Sequence, residues 1–208
     1  MKLYHFPISP NSRRVIAVLH HLNLTCELQI IDLSQGEQLQ PEFLSLNPNH
    51  MIPTLVDGDF VLWEANAIMQ YLCTKAPDNS LWSAQPKIQA DISRWQFWQA
   101  AHFGSACSVM IWENFIKQAL NMGAADQKEI AKGEERFHRF AQVLEAHLKD
   151  RQWLVGDSVT LADFSVGSFL DLSEKAKLPI TAYPEIQRWY GNIEQLPAWQ
   201  SSAPEKLS

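Results

Sequence analysis

The sequence predicts an α/β N-terminal domain with a mixed β-sheet in the order βαβαββα, followed by an all-α C-terminal helical bundle. The opening residues alternate between strand-like and helical segments, which is typical of a sheet covered by helices. Asp57-Gly58 lies between two apolar runs and indicates an antiparallel hairpin. From Pro86 onward the apolar residues recur at helical spacing only. The chain is therefore expected to hold a small mixed sheet beside a helical bundle, with the crevice between them as the ligand site.

The first elements follow from short apolar runs. Leu3–Phe6 resembles a strand, and apolar residues at helical spacing follow from Val15 to Leu22. Apolar and polar residues then alternate over Cys26–Ile30, which predicts a second strand. A short helix is predicted over Pro41–Leu46. These segments form the βαβα part of the predicted order.

The hairpin and the helix after it complete the first domain. Thr54–Val56 and Phe60–Leu62 flank the Asp57-Gly58 turn, and apolar residues then recur at helical spacing from Ala65 to Lys75. Turn-forming residues from 76 to 80 interrupt this pattern. We therefore predict a first domain over residues 1–76, a linker over 77–85 and an all-α domain over 86–208.

The second domain shows helical patterns and one clear helix start. Thr160-Leu161-Ala162-Asp163 has the form of a capping box, in which the hydroxyl and the carboxylate satisfy free amide donors. Three further helices are indicated by apolar residues at helical spacing: Ile88, Ile92, Trp95 and His102 in the first; Phe137, Phe140, Leu144 and Leu148 in the second; Ile186, Trp189 and Ile193 in the third.

Composition excludes several classes of protein. A hydrophobic fraction of 46% can fill a core, while a net charge of −6 argues against a nucleic-acid or anionic-membrane surface. Nothing resembles a signal peptide or a membrane span, so we expect a cytoplasmic protein. Three cysteines without a Cys-x-x-Cys pair predict reduced thiols and no metal site.

Four motifs together resemble the glutathione S-transferase family, in the expected order and over nearly the whole chain. They are Ser9-Pro10-Asn11-Ser12-Arg13, the segment 47–55 (NPNHMIPTL), the segment 63–68 (WEANAI), and Leu154-Val155-Gly156-Asp157 with Thr160-Leu161-Ala162-Asp163. The resemblance implies a thioredoxin-like first domain, glutathione as co-substrate, no metal and a homodimer. Within the family the chain looks most like the serine-type theta and delta classes and their bacterial relatives.

The resemblance assigns a binding role to the loop before the hairpin. It implies that Pro53 is cis and that the backbone of Ile52 pairs with the cysteinyl part of glutathione, whereas a proline that merely leads into a hairpin is the simpler alternative. It places His50 near the glycine end of the peptide and Met51 in the same loop, and Gln38 is a further polar candidate. A surface histidine without any role remains open for His50.

The start of the third helix is the expected site for the γ-glutamyl end of glutathione. Free amides and the helix dipole attract an anion there, although an ordinary acidic helix start explains Glu64 equally well. The resemblance implies that Glu64 contacts the peptide. The next residue, usually serine in the family, is Ala65 here, so one hydrogen bond worth roughly 0.5–1.5 kcal/mol is lost unless Asn66 or a water replaces it.

Ser9 has two interpretations. Serine followed by proline is a good helix start, so a purely structural cap is adequate. A glutathione thiol at that terminus would also meet a hydroxyl donor and the positive end of a helix, which favour the thiolate. The resemblance implies this catalytic role for Ser9, with Asn11 and Ser12 as the reserve candidates, while Arg13 supports the turn or the local positive potential.

The leading function is a glutathione S-transferase that attacks small hydrophobic electrophiles, as in detoxification. The expected electrophile pocket lies on the long helix of the second domain, although such stripes are more often core: His102, Phe103, Ala106 and Met110. One alternative is glutathione-dependent disulfide or peroxide reduction, for which the sulfur must come from glutathione because Ser9 and Ser12 cannot form a disulfide. The other is a glutathione-binding or protein-assembly module with little catalysis.

Overall fold

A computed structural model describes residues 1–76 and 79–203 of the chain. It divides into two compact units, which we call the first unit (Met1–Asn79 with Leu196–Ser208) and the second unit (Ser80–Gln195). The first unit holds the strands and helices β1 Lys2–His5, α1 Pro10–His21, β2 Glu27–Ile30, α2 Pro41–Leu46, β3 Thr54–Asp57, β4 Phe60–Trp63, α3 Ala65–Thr74 and α10 Pro197–Ser201. This order confirms the predicted βαβαββα domain.

The sheet of the first unit is mixed, with the strand order β2-β1-β3-β4. β1 pairs with β2 in parallel, Leu3 facing Leu28, and with β3 in antiparallel fashion, Leu3 facing Leu55. β3 and β4 form the predicted hairpin, and Gly58 in its turn has φ +65°, a conformation that glycine adopts without strain. Leu3 and Leu55 have no exposed surface, so the two central strands carry the core of the sheet.

The last helix of the chain packs on the first one. Arg13 of α1 is 8% exposed, and its guanidinium lies 4.2 Å from the centroid of the Trp199 ring. It also donates hydrogen bonds to the Trp199 carbonyl oxygen at 3.3 Å and to Ser202 Oγ at 3.4 Å. These contacts make α10 part of the first unit.

The predicted boundaries need a correction for this reason. The prediction assigned everything from residue 86 to the second domain, whereas the segment from Leu196 onward belongs to the first unit and the second unit begins at Ser80. Helical periodicity in the sequence does not specify which other helix a given helix packs against. Residues 77 and 78 of the predicted linker lie outside the described residues.

The second unit holds helices joined by loops and has no β-strand among its described residues. Its helices are α4 Pro86–Trp98, α5 Gly104–Ile111, α6 Lys117–Ala119, α7 Gln127–Leu148, α8 Leu161–Gly167 and α9 Pro184–Glu194. Two π-helical turns, Gln99–Phe103 and Trp112–Ile116, join α4, α5 and α6 into one long helical run. Among residues 1–76 and 79–203, no helix has both the length and the apolar character that a membrane crossing requires.

The predicted capping box at the start of α8 is confirmed. Asp163 is fully buried and accepts hydrogen bonds from the Leu154 amide at 2.9 Å, the Thr160 amide at 2.8 Å and Trp189 Nε1 at 2.9 Å. Burial is the larger effect and raises the pKa of Asp163, whereas these hydrogen bonds partly offset the rise. One carboxylate thus holds together three segments of the second unit.

Candidate functional site

The first unit contains an open pocket of about 330 Å³ whose wall comes from three segments. These are the first turns of α1, the loop before β3, and the junction between β4 and α3. The lining residues are Asn11, Arg14, Asn47, Pro48, Asn49, His50, Met51, Ile52, Pro53, Trp63, Glu64 and Ala65. Half of them are polar or charged, which suits a hydrophilic ligand better than a purely apolar one.

Ser9 is the N-cap of α1. Its backbone is extended (φ −76°, ψ 121°), and its Oγ accepts a hydrogen bond from the Ser12 amide at 3.3 Å while Pro10 occupies the first helical position. The cap uses Ser9 Oγ as an acceptor, so the hydroxyl hydrogen can still be donated to another group. The structure is therefore compatible with both roles considered for Ser9. The side chain is half-buried and two residues from Asn11, but it is not among the residues that line the pocket.

Ser12 has a structural environment. It has no exposed surface, and its Oγ accepts a hydrogen bond from the Phe6 amide at 3.2 Å. This bond ties the end of β1 to the first turn of α1. Ser12 is therefore the weaker of the two reserve candidates, because a ligand cannot reach a side chain with no exposed surface.

Asn11 and Arg14 form a hydrogen-bonded pair on the pocket wall. Arg14 Nη2 donates to Asn11 Oδ1 at 2.7 Å, and both residues line the pocket. Arg14 is 5% exposed; burial lowers its pKa to about 9, and the negative charge of Glu64 acts in the opposite direction. At neutral pH the guanidinium therefore stays charged, and it gives the pocket a positive group.

Sequence reasoning did not select Arg14. One signal was available: Arg14 precedes the apolar Ala17 and Val18 by three and four residues, so it falls on the buried face of α1. A charged residue on such a face is rarely left buried without a specific environment. Arg13, which the sequence placed near the turn, instead anchors α10.

The loop before β3 is held by the side chain of Asn47. Asn47 is 1% exposed, and its Nδ2 donates to the Met51 carbonyl oxygen at 2.8 Å and to Thr54 Oγ1 at 3.0 Å. Its Oδ1 accepts from the Asn49 amide at 3.0 Å. A single buried amide thus spans the loop from residue 47 to residue 54.

Backbone conformations within and beside this loop are unusual. The Ile52–Pro53 peptide bond is cis, as the family resemblance implies, and His50 has φ +50°. Glu64, just before α3, has φ +71° and ψ 109°, and its side chain makes no capping hydrogen bond. Positive φ values in residues other than glycine are uncommon; in this chain His50 and Glu64 line the pocket, whereas Asn23, Asn121, Asp150 and Lys177 do not.

The pocket brings most of the predicted glutathione-binding residues together. The predicted glutathione-binding residues that line it are His50, Met51, Ile52, Pro53, Glu64 and Ala65, and the catalytic candidate Asn11 lines it as well. Gln38 and Asn66 are half-buried and, like Ser9 and Ser12, are not among the lining residues. Their predicted roles in binding stay predictions.

The predicted electrophile-pocket residues lie in the second unit. His102 is exposed and stacks on Phe140 with 5.0 Å between ring centroids. Phe103 and Ala106 have no exposed surface and Met110 is 2% exposed, which is the packing of core residues. Their assignment to an electrophile pocket stays a prediction, and their burial favours the structural alternative for Phe103, Ala106 and Met110.

A mixed sheet with a cis-proline loop beside the N-terminus of α1, followed by a helical unit, defines the class of thioredoxin-like proteins that carry an added helical domain. Comparison of the sequence with profiles of known families identifies a family within this class. Residues 3–80 match the profile described as "Glutathione S-transferase, N-terminal domain", and residues 101–197 match "Glutathione S-transferase, C-terminal domain". The chain belongs to the glutathione S-transferase family.

Individual relatives agree over nearly the full length. The chain is 34% identical to Glutathione S-transferase 3 of Zea mays, over 97% of this chain and 92% of the relative. It is 30% identical to Glutathione S-transferase D7 of Drosophila melanogaster, over 97% of this chain and 88% of the relative. A glutathione transferase structure from Pseudomonas putida, with one glutathione disulfide bound per subunit, superposes with a TM-score of 0.87 at 26% identity, over 99% of this chain and 90% of that chain.

Proposed function

We propose that this protein is a glutathione transferase that binds glutathione in the pocket of the first unit and holds its sulfur as a thiolate. The observation that carries the proposal is the convergence of the first turns of α1, the loop before β3 and the start of α3 on one pocket. Each of these segments offers polar groups suited to one part of a charged tripeptide. The family relatives described above support the same activity.

Lowering the thiol pKa is the main chemical task of such a site. A free thiol with a pKa near 8.5 is only a few per cent ionised at neutral pH, and each unit of depression is worth about 1.36 kcal/mol. The Ser9 hydroxyl, the positive end of α1 and the Arg14 guanidinium all favour the negative sulfur. The thiol proton leaves to solvent, and the sulfur electron pair is then free to attack.

The attack forms a carbon–sulfur bond to a small hydrophobic electrophile. In a displacement the leaving group departs with the electrons of its bond to that carbon, and in an addition the adjacent atom takes up a proton. The rate advantage comes from positioning and from stabilised negative charge, without a covalent bond to the protein. Of the predicted electrophile residues His102, Phe103, Ala106 and Met110, only His102 is exposed, so we propose His102 as the direct contact and the other three as its buried support.

The parts of glutathione other than its sulfur are assigned to the other walls of the pocket. The Ile52 backbone pairs with the cysteinyl segment, His50 and Met51 lie towards the glycine end, and Glu64 with the Ala65 amide meets the γ-glutamyl end. The presence of all five residues in one pocket supports this orientation. Gln38 and Asn66 are proposed as outer polar contacts.

Reduction of disulfides or peroxides with glutathione is the second candidate. The observation that favours it is the glutathione disulfide bound to the Pseudomonas putida protein. In this chain the sulfur for such chemistry must come from glutathione, because serine occupies both positions 9 and 12. The two candidates differ in the substrate that the enzyme turns over.

Three further proposals concern assembly, location and subclass. A homodimer follows from the family resemblance. A cytoplasmic location is supported by three free cysteines. The narrower assignment to the serine-type theta and delta classes and their bacterial relatives stays a prediction, because the similar proteins described above come from a plant, an insect and a bacterium.

Replacing Ser9 tests the proposal. Because a hydrogen bond to a charged group contributes about 1.5–3 kcal/mol, Ser9→Ala should lower kcat/KM for a model aryl halide by about tenfold to 150-fold. The pKa of bound glutathione, followed by thiolate absorbance against pH, should rise towards that of the free peptide. Turnover of a mixed disulfide is measured in parallel, and activity on the disulfide alone would replace the leading function by the second candidate.

Ser9→Gly separates catalysis from capping. Glycine is tolerated at an N-cap at a cost of only a few tenths of a kcal/mol, yet it lacks the hydroxyl. The proposal expects Ser9→Gly to be as inactive as Ser9→Ala while unfolding closer to the unmodified protein. Full activity in Ser9→Gly would show that Ser9 is only a cap, and unaltered binding without any lowered thiol pKa would favour the binding module.

A further inference from the structure

The hydrogen bond between Arg14 and Asn11 indicates that these two residues have different roles at the start of α1. We propose that Arg14 is a positioning residue that fixes the side-chain amide of Asn11, so that the Nδ2 hydrogens of Asn11 face the glutathione sulfur as a second donor beside Ser9. This inference rests on the proposed function. It assigns to Arg14 a role that acts through Asn11.

The orientation of the Asn11 amide follows from the chemistry of its partner. Arginine offers only donors, so the Asn11 atom that lies 2.7 Å from Arg14 Nη2 must be the carbonyl oxygen Oδ1. Nδ2 then necessarily faces away from Arg14. Asn11 lines the pocket, and the described residues offer Nδ2 no acceptor, so its two hydrogens are available to a ligand.

Arg14 is itself held in place. It is 5% exposed, which restricts the rotamers of its long side chain, and the negative charge of Glu64 attracts the guanidinium. Asn11 and Arg14 are three residues apart in one helix, so their side chains lie on the same face. A rigid guanidinium plane can therefore hold a neighbouring amide in one of its two flipped states.

The hydrogen bond from Arg14 to Asn11 Oδ1 also makes Asn11 Nδ2 a stronger hydrogen-bond donor. A cation bound to the amide oxygen withdraws electron density from Nδ2, and hydrogen bonds in series reinforce each other by about 10–30%. The positive charge also lies beside the space where the sulfur is proposed to sit. Arg14 thus both orients and polarises the side-chain amide of Asn11.

A double-mutant cycle on Arg14 and Asn11 tests the inference in the full-length protein. Arg14→Lys keeps the charge but loses the planar fork, so kcat/KM for the aryl halide should fall by about tenfold while KM for glutathione changes by less than about twofold. The pKa of the bound thiol should rise by about one unit. Asn11→Ala should have a similar effect, and the double variant should be at least about fivefold more active than the product of the single losses predicts.

Asn11→Asp keeps the test valid if Arg14 variants fail to fold. Aspartate has almost the same shape and accepts from Arg14 through a carboxylate, but it has no hydrogen to donate and adds a negative charge. The bound thiol pKa should therefore rise more in Asn11→Asp than in Asn11→Ala. An unchanged thiol pKa in Asn11→Asp would overturn the inference.

Arg13→Lys is the matched control on the same helix. Arg13 is also buried, but its partners are Trp199 and Ser202, so its substitution should lower stability without moving the thiol pKa. Equal rises of the thiol pKa in Arg13→Lys and Arg14→Lys, or strictly additive effects in the cycle, would refute the inference. If Ser9→Ala still raises the thiol pKa in that case, the proposed function stands; if the unmodified protein never lowers the thiol pKa, the proposed function has failed as well.

Discussion

The pocket of the first unit and the interior of the second unit are built on different principles. The pocket depends on backbone conformation and hydrogen bonds, with positive φ at His50 and Glu64 and a buried amide at Asn47. The interior depends on aromatic side chains, such as Phe103, which stacks on Trp98 with 5.3 Å between ring centroids and contacts Phe137 at 5.4 Å. Hydrogen bonds and backbone conformation thus shape the pocket, whereas aromatic packing fills much of the interior of the second unit.

The comparison predicts whether a substitution in each region should first change ligand binding or folding stability. Around the pocket, exposed polar groups can exchange a lost partner for water, so changing them should alter binding before folding, whereas a change at the buried Asn47 should alter both. In the second unit a buried group that loses its partner has no substitute, so stability should fall first. Matched substitutions in the two regions test this contrast.

The largest effect is expected for Asp163→Ala in the second unit. The change leaves buried donors on Leu154, Thr160 and Trp189 without their acceptor, and we expect a loss of about 3–5 kcal/mol in the free energy of unfolding. Urea unfolding measures it. Asp157→Ala, at an exposed position, should change stability by less than about 0.5 kcal/mol. A loss below about 1 kcal/mol for Asp163→Ala would show that water enters this interior, and the contrast between the units would disappear.

An intermediate effect is expected for Asn47→Ala in the pocket loop. The variant loses the bonds to Met51 and Thr54, so we expect about 1–3 kcal/mol less stability together with a higher KM for glutathione. Denaturant unfolding and steady-state kinetics provide the two values. Asn49→Ala, which removes an exposed neighbour, serves as the control and should have a smaller effect on both. If Asn47→Ala alters stability but leaves KM unchanged, the loop supports the fold and does not shape the pocket.

The smallest effect is a gain, expected for Ala65→Ser. A hydroxyl at the first residue of α3 restores one hydrogen bond to the γ-glutamyl carboxylate, worth roughly 0.5–1.5 kcal/mol, and should tighten glutathione binding by about twofold to twelvefold. Calorimetric titration measures the dissociation constant. Ala67→Ser lies on the same helix but outside the pocket lining and should leave affinity unchanged. Tightening of less than about twofold in Ala65→Ser would count against the proposed orientation of the tripeptide.

Features that rest on neighbouring residues could be predicted from the sequence. The Asp57-Gly58 hairpin and the Thr160–Asp163 capping box are local devices, and the structure confirms both. The cis bond before Pro53 needed the family resemblance, because sequence physics gives a cis proline a low probability.

Features that rest on distant contacts could not be predicted. The roles of Asn47 and Arg14 depend on which side chains the folded loop and helix bring together, and helical periodicity does not specify them. Of the predicted catalytic candidates, Ser9 and Asn11 remain open to a ligand, whereas Ser12 is enclosed by the turn that it stabilises.

The anchoring of α10 on α1 has a consequence for biosynthesis. Arg13 and Trp199 are separated by 186 positions in sequence, and Arg13 and Ser202 by 189. Because α1 leaves the ribosome before α10, it acquires these contacts only after Ser202 has been translated. A nascent chain therefore lacks the contacts of Arg13 with Trp199 and Ser202 until α10 has emerged, and a chain that ends at Gln195 would leave α1 without them.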